Sequence, residues 1–83
     1  MTQNEQEQLE GKRARAILAD DLVIRSFAEI ERLYVAAWRA AATTEEREEC
    51  WRMLKTLNVF QSQLQLIVNN GEFAEARALE EGR

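Results

Sequence analysis

Apolar residues recur at helical spacing through two long stretches of this chain, separated by the four residues Ala41-Ala42-Thr43-Thr44. In the first stretch Val23, Phe27, Ile30, Tyr34, Ala37 and Ala41 follow one another at intervals of 4, 3, 4, 3 and 4. Each residue of a helix turns by about 100°, so these six share one stripe. Ile24, Leu33 and Trp38 widen it on both flanks. The pattern predicts a helix over 21–42, with large and small residues alternating toward the loop so that a partner helix can approach closely.

In the second stretch the stripe is Cys50, Leu54, Leu57, Gln61, Leu64 and Val68, flanked by Trp51 on one side and Met53, Phe60 and Ile67 on the other. A helix over 45–69 is expected. Asn70-Gly71 reads as its stop, because glycine readily takes the left-handed conformation that ends helices. The apolar arc spans roughly 200° at about 100° per residue, whereas a surface helix needs only about 100° or somewhat more. Val59 and Leu66 lie outside even this arc, seven residues apart on one line. One neighbouring helix cannot cover so wide a face.

The segment joints carry their own signals. Asp20 can cap a following helix by accepting from its free amides, and Asp21 adds negative charge where the helix dipole favours it. A short helix from Lys12 to Ala19, bearing Ala14, Ile17 and Leu18, should therefore bend at Asp20 into the first long helix. Thr43 and Glu46 have the spacing of a capping box, in which hydroxyl and carboxylate each satisfy a backbone amide near the other. Residues 1–11 are polar and read as a flexible tail; residues 72–81 could form another short helix with Phe73, Ala76 and Leu79 folded back. The expected fold is all-α: an antiparallel two-helix hairpin over residues 12–80 with short helical pieces at both ends. Its uncovered stripes predict self-association into a helical bundle or ring.

Composition agrees and narrows the function. Proline is absent, and the 83 residues suit one small domain near the limit of what a single core stabilises. Hydrophobic residues at 46% are too many for a disordered chain. The net charge of −4 disfavours a nonspecific grip on nucleic acid. The acidic excess lies mostly in residues 43–83, which hold 8 acids against 5 bases, while residues 1–42 hold 7 against 6. The single cysteine, Cys50, excludes an internal disulfide and suits a reducing compartment. Charges interrupt every apolar run, so neither a secretory leader nor a membrane span is expected. Together these features predict a soluble, intracellular protein.

Candidate chemistry is sparse. Without histidine, the usual zinc, haem and nucleophile–base arrangements lack material. Cys50 on the apolar stripe reads as a small hydrophobe rather than a reactive thiol. Asp20-Asp21 and the glutamates 45, 46, 48 and 49 could hold a cation, but both groups sit at expected helix starts where capping accounts for them. No enzyme, cofactor or metal site is expected. Arg25, Arg32 and Arg39 recur every seven residues and form a basic row open to an acidic partner or to phosphates, although Glu29 can pair within it. Trp38 and Trp51 flank the loop end as core residues or interface anchors. Glu31 and Gln61, on or beside the stripes, could set register.

A set of short signals also resembles small helical proteins of tailed bacteriophages and prophages. They are Arg15-Ala16-Ile17-Leu18-Ala19-Asp20, Phe27-Ala28, Tyr34-Val35-Ala36-Ala37-Trp38, Arg47-Glu48, Trp51-Arg52-Met53-Leu54-Lys55-Thr56-Leu57 and Gly71-Glu72-Phe73-Ala74, spread over residues 13–76. Where those relatives often place proline after the capping aspartate, this chain has Asp21. The resemblance implies a virion or morphogenesis role beside portal or capsid components, synthesis in the host cytoplasm and incorporation into the particle. It transfers no catalytic residue.

The sequence thus predicts a non-enzymatic structural or assembly subunit whose partners are its own copies and a larger protein assembly. Its expected interface residues are Trp38, Trp51, Val59, Phe60, Leu66 and Ile67. An inhibitor or adaptor of a host protein, whose acidic half covers a basic groove, is the alternative reading. A helical-hairpin regulator that binds nucleic acid through the arginine row ranks below both.

Overall fold

The computed structural model describes residues 1–82, and within them the fold is all-helical: α1 (Gln3–Ala19), α2 (Asp21–Ala40) and α3 (Thr44–Glu81). Each helix starts on a side-chain cap. The Thr2 hydroxyl accepts from the Glu5 amide at 3.1 Å. Asp20 has extended backbone (φ −68°, ψ 124°) and joins two helices: its amide donates to the Ile17 carbonyl, and its carboxylate accepts from the Val23 amide at 3.1 Å. The Thr43 hydroxyl accepts from the Glu46 amide at 3.1 Å. Glu46 returns the contact one residue earlier than an ideal capping box, accepting at 3.0 Å from the amide of Ala42.

α1 and α2 lie one after the other along α3. Asn4 meets Ala74 and Arg77, Gly11 meets Gly71, and Ile17 shares a shallow hollow with Leu64 and Ile67. Further along the chain Phe27 packs on Phe60, and Trp38 shares a pocket with Trp51. As the chain advances through α1 and α2, its contacts therefore move backward along α3. The result is an elongated body of 62 × 24 × 18 Å.

The second stripe read from the sequence is the one that packs. Cys50, Leu54, Leu57, Gln61 and Leu64 are all half-buried, and Val68 is buried. On α2, Val23, Phe27 and Tyr34 are half-buried as expected, as is Ala41 just past its end, whereas Ile30 and Ala37 remain exposed.

Two expectations at the ends fail together. α3 does not stop at Asn70-Gly71 but runs through to Glu81, and among the described residues none has positive φ. Nor do residues 1–11 form a flexible tail apart from the fold, because helix begins at Gln3 and both Asn4 and Gly11 contact α3. The two errors share a cause. Gly71 is used for close approach: a Cβ there would lie 2.8 Å from the Gly11 Cα and 2.9 Å from the Glu7 carbonyl oxygen. Glycine can shorten the distance between two helices as well as terminate one. Here it seats α1 on an α3 that continues beyond it. Ala74 and Ala78 then face α1, while Phe73 and Leu79, expected to fold back, are 65% and 67% exposed, and Ala76 is exposed too.

α1 is also held by polar contacts. The Asn4 side-chain amide donates to the Ala74 carbonyl at 3.0 Å, and its oxygen accepts from Arg77 at 3.2 Å. Arg77 also reaches Glu7 at 3.3 Å, and Arg15 pairs with Glu72 at 2.6 Å.

The interior consists of small residues. Ala14, Val68 and Ala74 are 3%, 5% and 0% exposed, joined by Gly11 and Gly71. Among the described residues no large side chain is fully buried.

Candidate functional site

A broad groove lies between α2 and the first half of α3. Phe27, Ile30, Leu33, Tyr34 and Ala37 form one wall; Met53, Thr56, Leu57 and Phe60 form the other. The groove is open to solvent and has a volume of about 860 Å³. At the end away from the loop Phe27 packs on Phe60, with ring centroids 5.9 Å apart and planes inclined at 50°. This tilted geometry suits the quadrupoles of two aromatic rings. The walls stay wet: Leu33 is 52% and Phe60 53% exposed. All nine lining residues are uncharged. Chemically the groove can bind apolar surface; its only polar side-chain groups are the hydroxyls of Tyr34 and Thr56, and that of Thr56 already donates to the Arg52 carbonyl at 2.9 Å.

The groove owes its shape to helix spacing. Met53 and Phe60 are seven residues apart on α3, as are Ile30 and Ala37 on α2, so each pair recurs on one side of its helix. Small Ala37 opens the end near the loop. The sequence placed Leu33, Met53 and Phe60 on stripe flanks but did not join them into one concavity, which depends on how far apart α2 and α3 settle.

The six expected interface residues do not form one patch. Phe60 lines the groove, and Ile67 is half-buried beside Ala14 and Ile17 further along the same side of α3. Val59 and Leu66 are exposed and project away from the packed stripe, as their positions on the helix dictate. Trp38 and Trp51, both exposed, flank a shallow pocket at the loop end with Thr44, Arg47 and Glu48. The Lys55 ammonium lies 5.1 Å from the centroid of the Trp51 ring, within cation–π range.

Most charges around these surfaces are already engaged. Arg25 pairs with Asp21 at 3.0 Å, and Arg32 with Glu29 at 2.7 Å; Glu29 therefore serves one arginine of the row rather than two. The hydrogen bonds to Arg32 hold the Glu29 carboxyl below its ordinary pKa, and the same bonds raise that of Arg32. Arg52 is raised likewise by its hydrogen bond to Glu49. Among the described residues Arg39 has no salt-bridge partner; it borders a shallow hollow with Glu31 and Arg32. Of the carboxylates singled out in the sequence, Asp20 and Glu46 accept from backbone amides, and Asp21 and Glu49 pair with arginines. Cys50 is a free thiol, half-buried on the packed stripe. No helix is long and apolar enough among the described residues to cross a membrane.

Sequence reasoning missed the Gly11–Gly71 crossing and the polar clasp of Asn4 and Arg77. The signal was the spacing of small residues: Gly11 and Ala14 three apart on α1, and Gly71, Ala74 and Ala78 three and four apart on α3. Compared with protein families, curated proteins and solved structures, the chain matches none of the three.

Proposed function

We propose that this chain is a non-enzymatic helical-hairpin subunit that self-associates and acts through protein–protein contacts, as a structural or assembly component of a phage particle. The observation that carries the reading is the absence, among the described residues, of any fully buried large side chain, beside a groove walled by half-exposed Leu33 and Phe60. Full burial of such a side chain contributes about 1.5–3 kcal/mol. Covering the exposed half of each gives roughly 1 kcal/mol. Association costs an estimated 4–15 kcal/mol or more. Several such residues on each of two subunits are therefore needed, and Ile30, Leu33, Met53 and Phe60 supply them on one side. The remaining expected interface residues, Trp38, Trp51, Val59, Leu66 and Ile67, offer further contact surface for a larger assembly.

The phage context rests on the resemblance of the short sequence signals. Light scattering of the purified chain at micromolar concentration tests self-association: a mass above one subunit is expected, and a well-folded monomer rejects it. Mass spectrometry of purified particles tests the assembly role. Detection of this chain in the particle is expected; its absence, with capture of a stoichiometric host protein instead, transfers the role to inhibition of that protein.

A further inference from the structure

We infer that the α2–α3 groove is closed by the same groove of a second copy, related by a two-fold axis; the inference rests on the self-association proposed above and names its surface. The argument is one of charge. In a chain with 31% charged residues, Ile30, Leu33, Ala37, Met53, Thr56 and Phe60 present a face with none. Charge depletion of this kind marks the centre of protein interfaces. Its α3 wall leads into residues 56–71, sixteen consecutive positions without a charge.

A two-fold contact places the same patch on both sides, so a residue near the axis meets its own counterpart. A charged group there would face its like, and two chains of net charge −4 already repel. The uncharged groove escapes this penalty. Helix spacing puts Ser26 and Gln63 on the groove side, where hydroxyl and amide both donate and accept and can therefore pair across copies. The same spacing brings Glu49 to the loop end of this side, where Arg52 already neutralises it at 2.8 Å. The arginine row lies on a different side of α2, with Arg25 and Arg32 already neutralised by Asp21 and Glu29. A groove built for a charged partner would carry an opposite charge on its walls, and this one carries none.

The test uses the full chain and three substitutions: Leu33→Glu and Thr56→Glu in the groove, and Leu66→Glu on the side facing away. Sedimentation across a concentration series gives the mass, and circular dichroism the helix content. The expected result is an even number of copies, a dissociation constant raised at least tenfold by either groove substitution, and little change with Leu66→Glu. Hydrogen exchange of the unsubstituted chain, concentrated against dilute, supplies a readout free of folding effects. Protection should rise at 30–37 and 53–60. An odd number of copies overturns the two-fold. Loss of association in Leu66→Glu alone, or added protection only outside the groove, overturns the surface while leaving self-association standing. A monomeric wild type overturns both.

Discussion

Gly11 and Gly71 cross so closely that a Cβ built on either would lie 2.8 Å from the other's Cα. The obstacle is backbone, so no side chain can swing aside to make room. Gly71→Ala gains about 1 kcal/mol of helix propensity, but overpacking a tight contact typically costs about 1–3 kcal/mol. The cost should win and fall on the docking of α1. Hydrogen exchange would then show protection lost over 3–19 with the α2–α3 region retained. Gly82→Ala is the control, since its nearest neighbour is the Ala78 carbonyl oxygen at 3.4 Å. Retained α1 protection in Gly71→Ala would contradict the close crossing.

The two caps make a separable prediction. Asp20→Ala and Thr43→Ala each remove an acceptor 3.1 Å from an otherwise free amide. Each should lower stability by about 1 kcal/mol in urea titrations. Asp20→Asn should recover most of its loss, because the amide oxygen still accepts.

The contacts of α1 with α3 should rank by burial rather than by charge. Asn4→Ala removes a part-buried donor to the Ala74 carbonyl and an acceptor for Arg77. A cost of about 1 kcal/mol is expected. Glu72→Gln breaks a shorter contact, to Arg15 at 2.6 Å, but both side chains are largely exposed. Its effect should be a few tenths of a kcal/mol and should fade as salt is added. Thermal melts at two salt concentrations would separate these cases, and the reverse ranking would refute the argument.

Glu29 gives a pH signature. Its folded pKa is depressed by hydrogen bonding to Arg32. The contribution is therefore complete above the ordinary glutamate pKa, about 4.3, and is lost as pH falls through the lower folded value. Carboxyl NMR should show Glu29 titrating below the usual range and returning to it in Arg32→Gln. An unchanged midpoint in that variant would remove the assigned cause.

The parts of this fold legible in the sequence are those written in local chemistry. Asp20 and Thr43 marked helix starts because a cap is decided within four residues, and the stripe from Cys50 to Val68 packs as its period requires. The seating of α1 was illegible because it relies on small and polar side chains. Asn4, Glu7 and Gly11 have no apolar periodicity, and Gly71 carries the same local signal whether it ends a helix or admits another. The groove was half legible. Its wall residues stood on the stripe flanks, but its width is set by the Phe27–Phe60 spacing between residues far apart in the chain.

The 24 × 18 Å cross-section has a consequence for how this molecule could be strengthened. A helix with its side chains is about 10–12 Å across, so the body is about two helices wide along all 62 Å of its length. Extending such a rod adds surface in proportion to volume, and every added turn is as wet as the last. Only thickness changes that ratio. For this chain an inner layer, with neighbours above as well as beside, begins when another helix is laid across the pair.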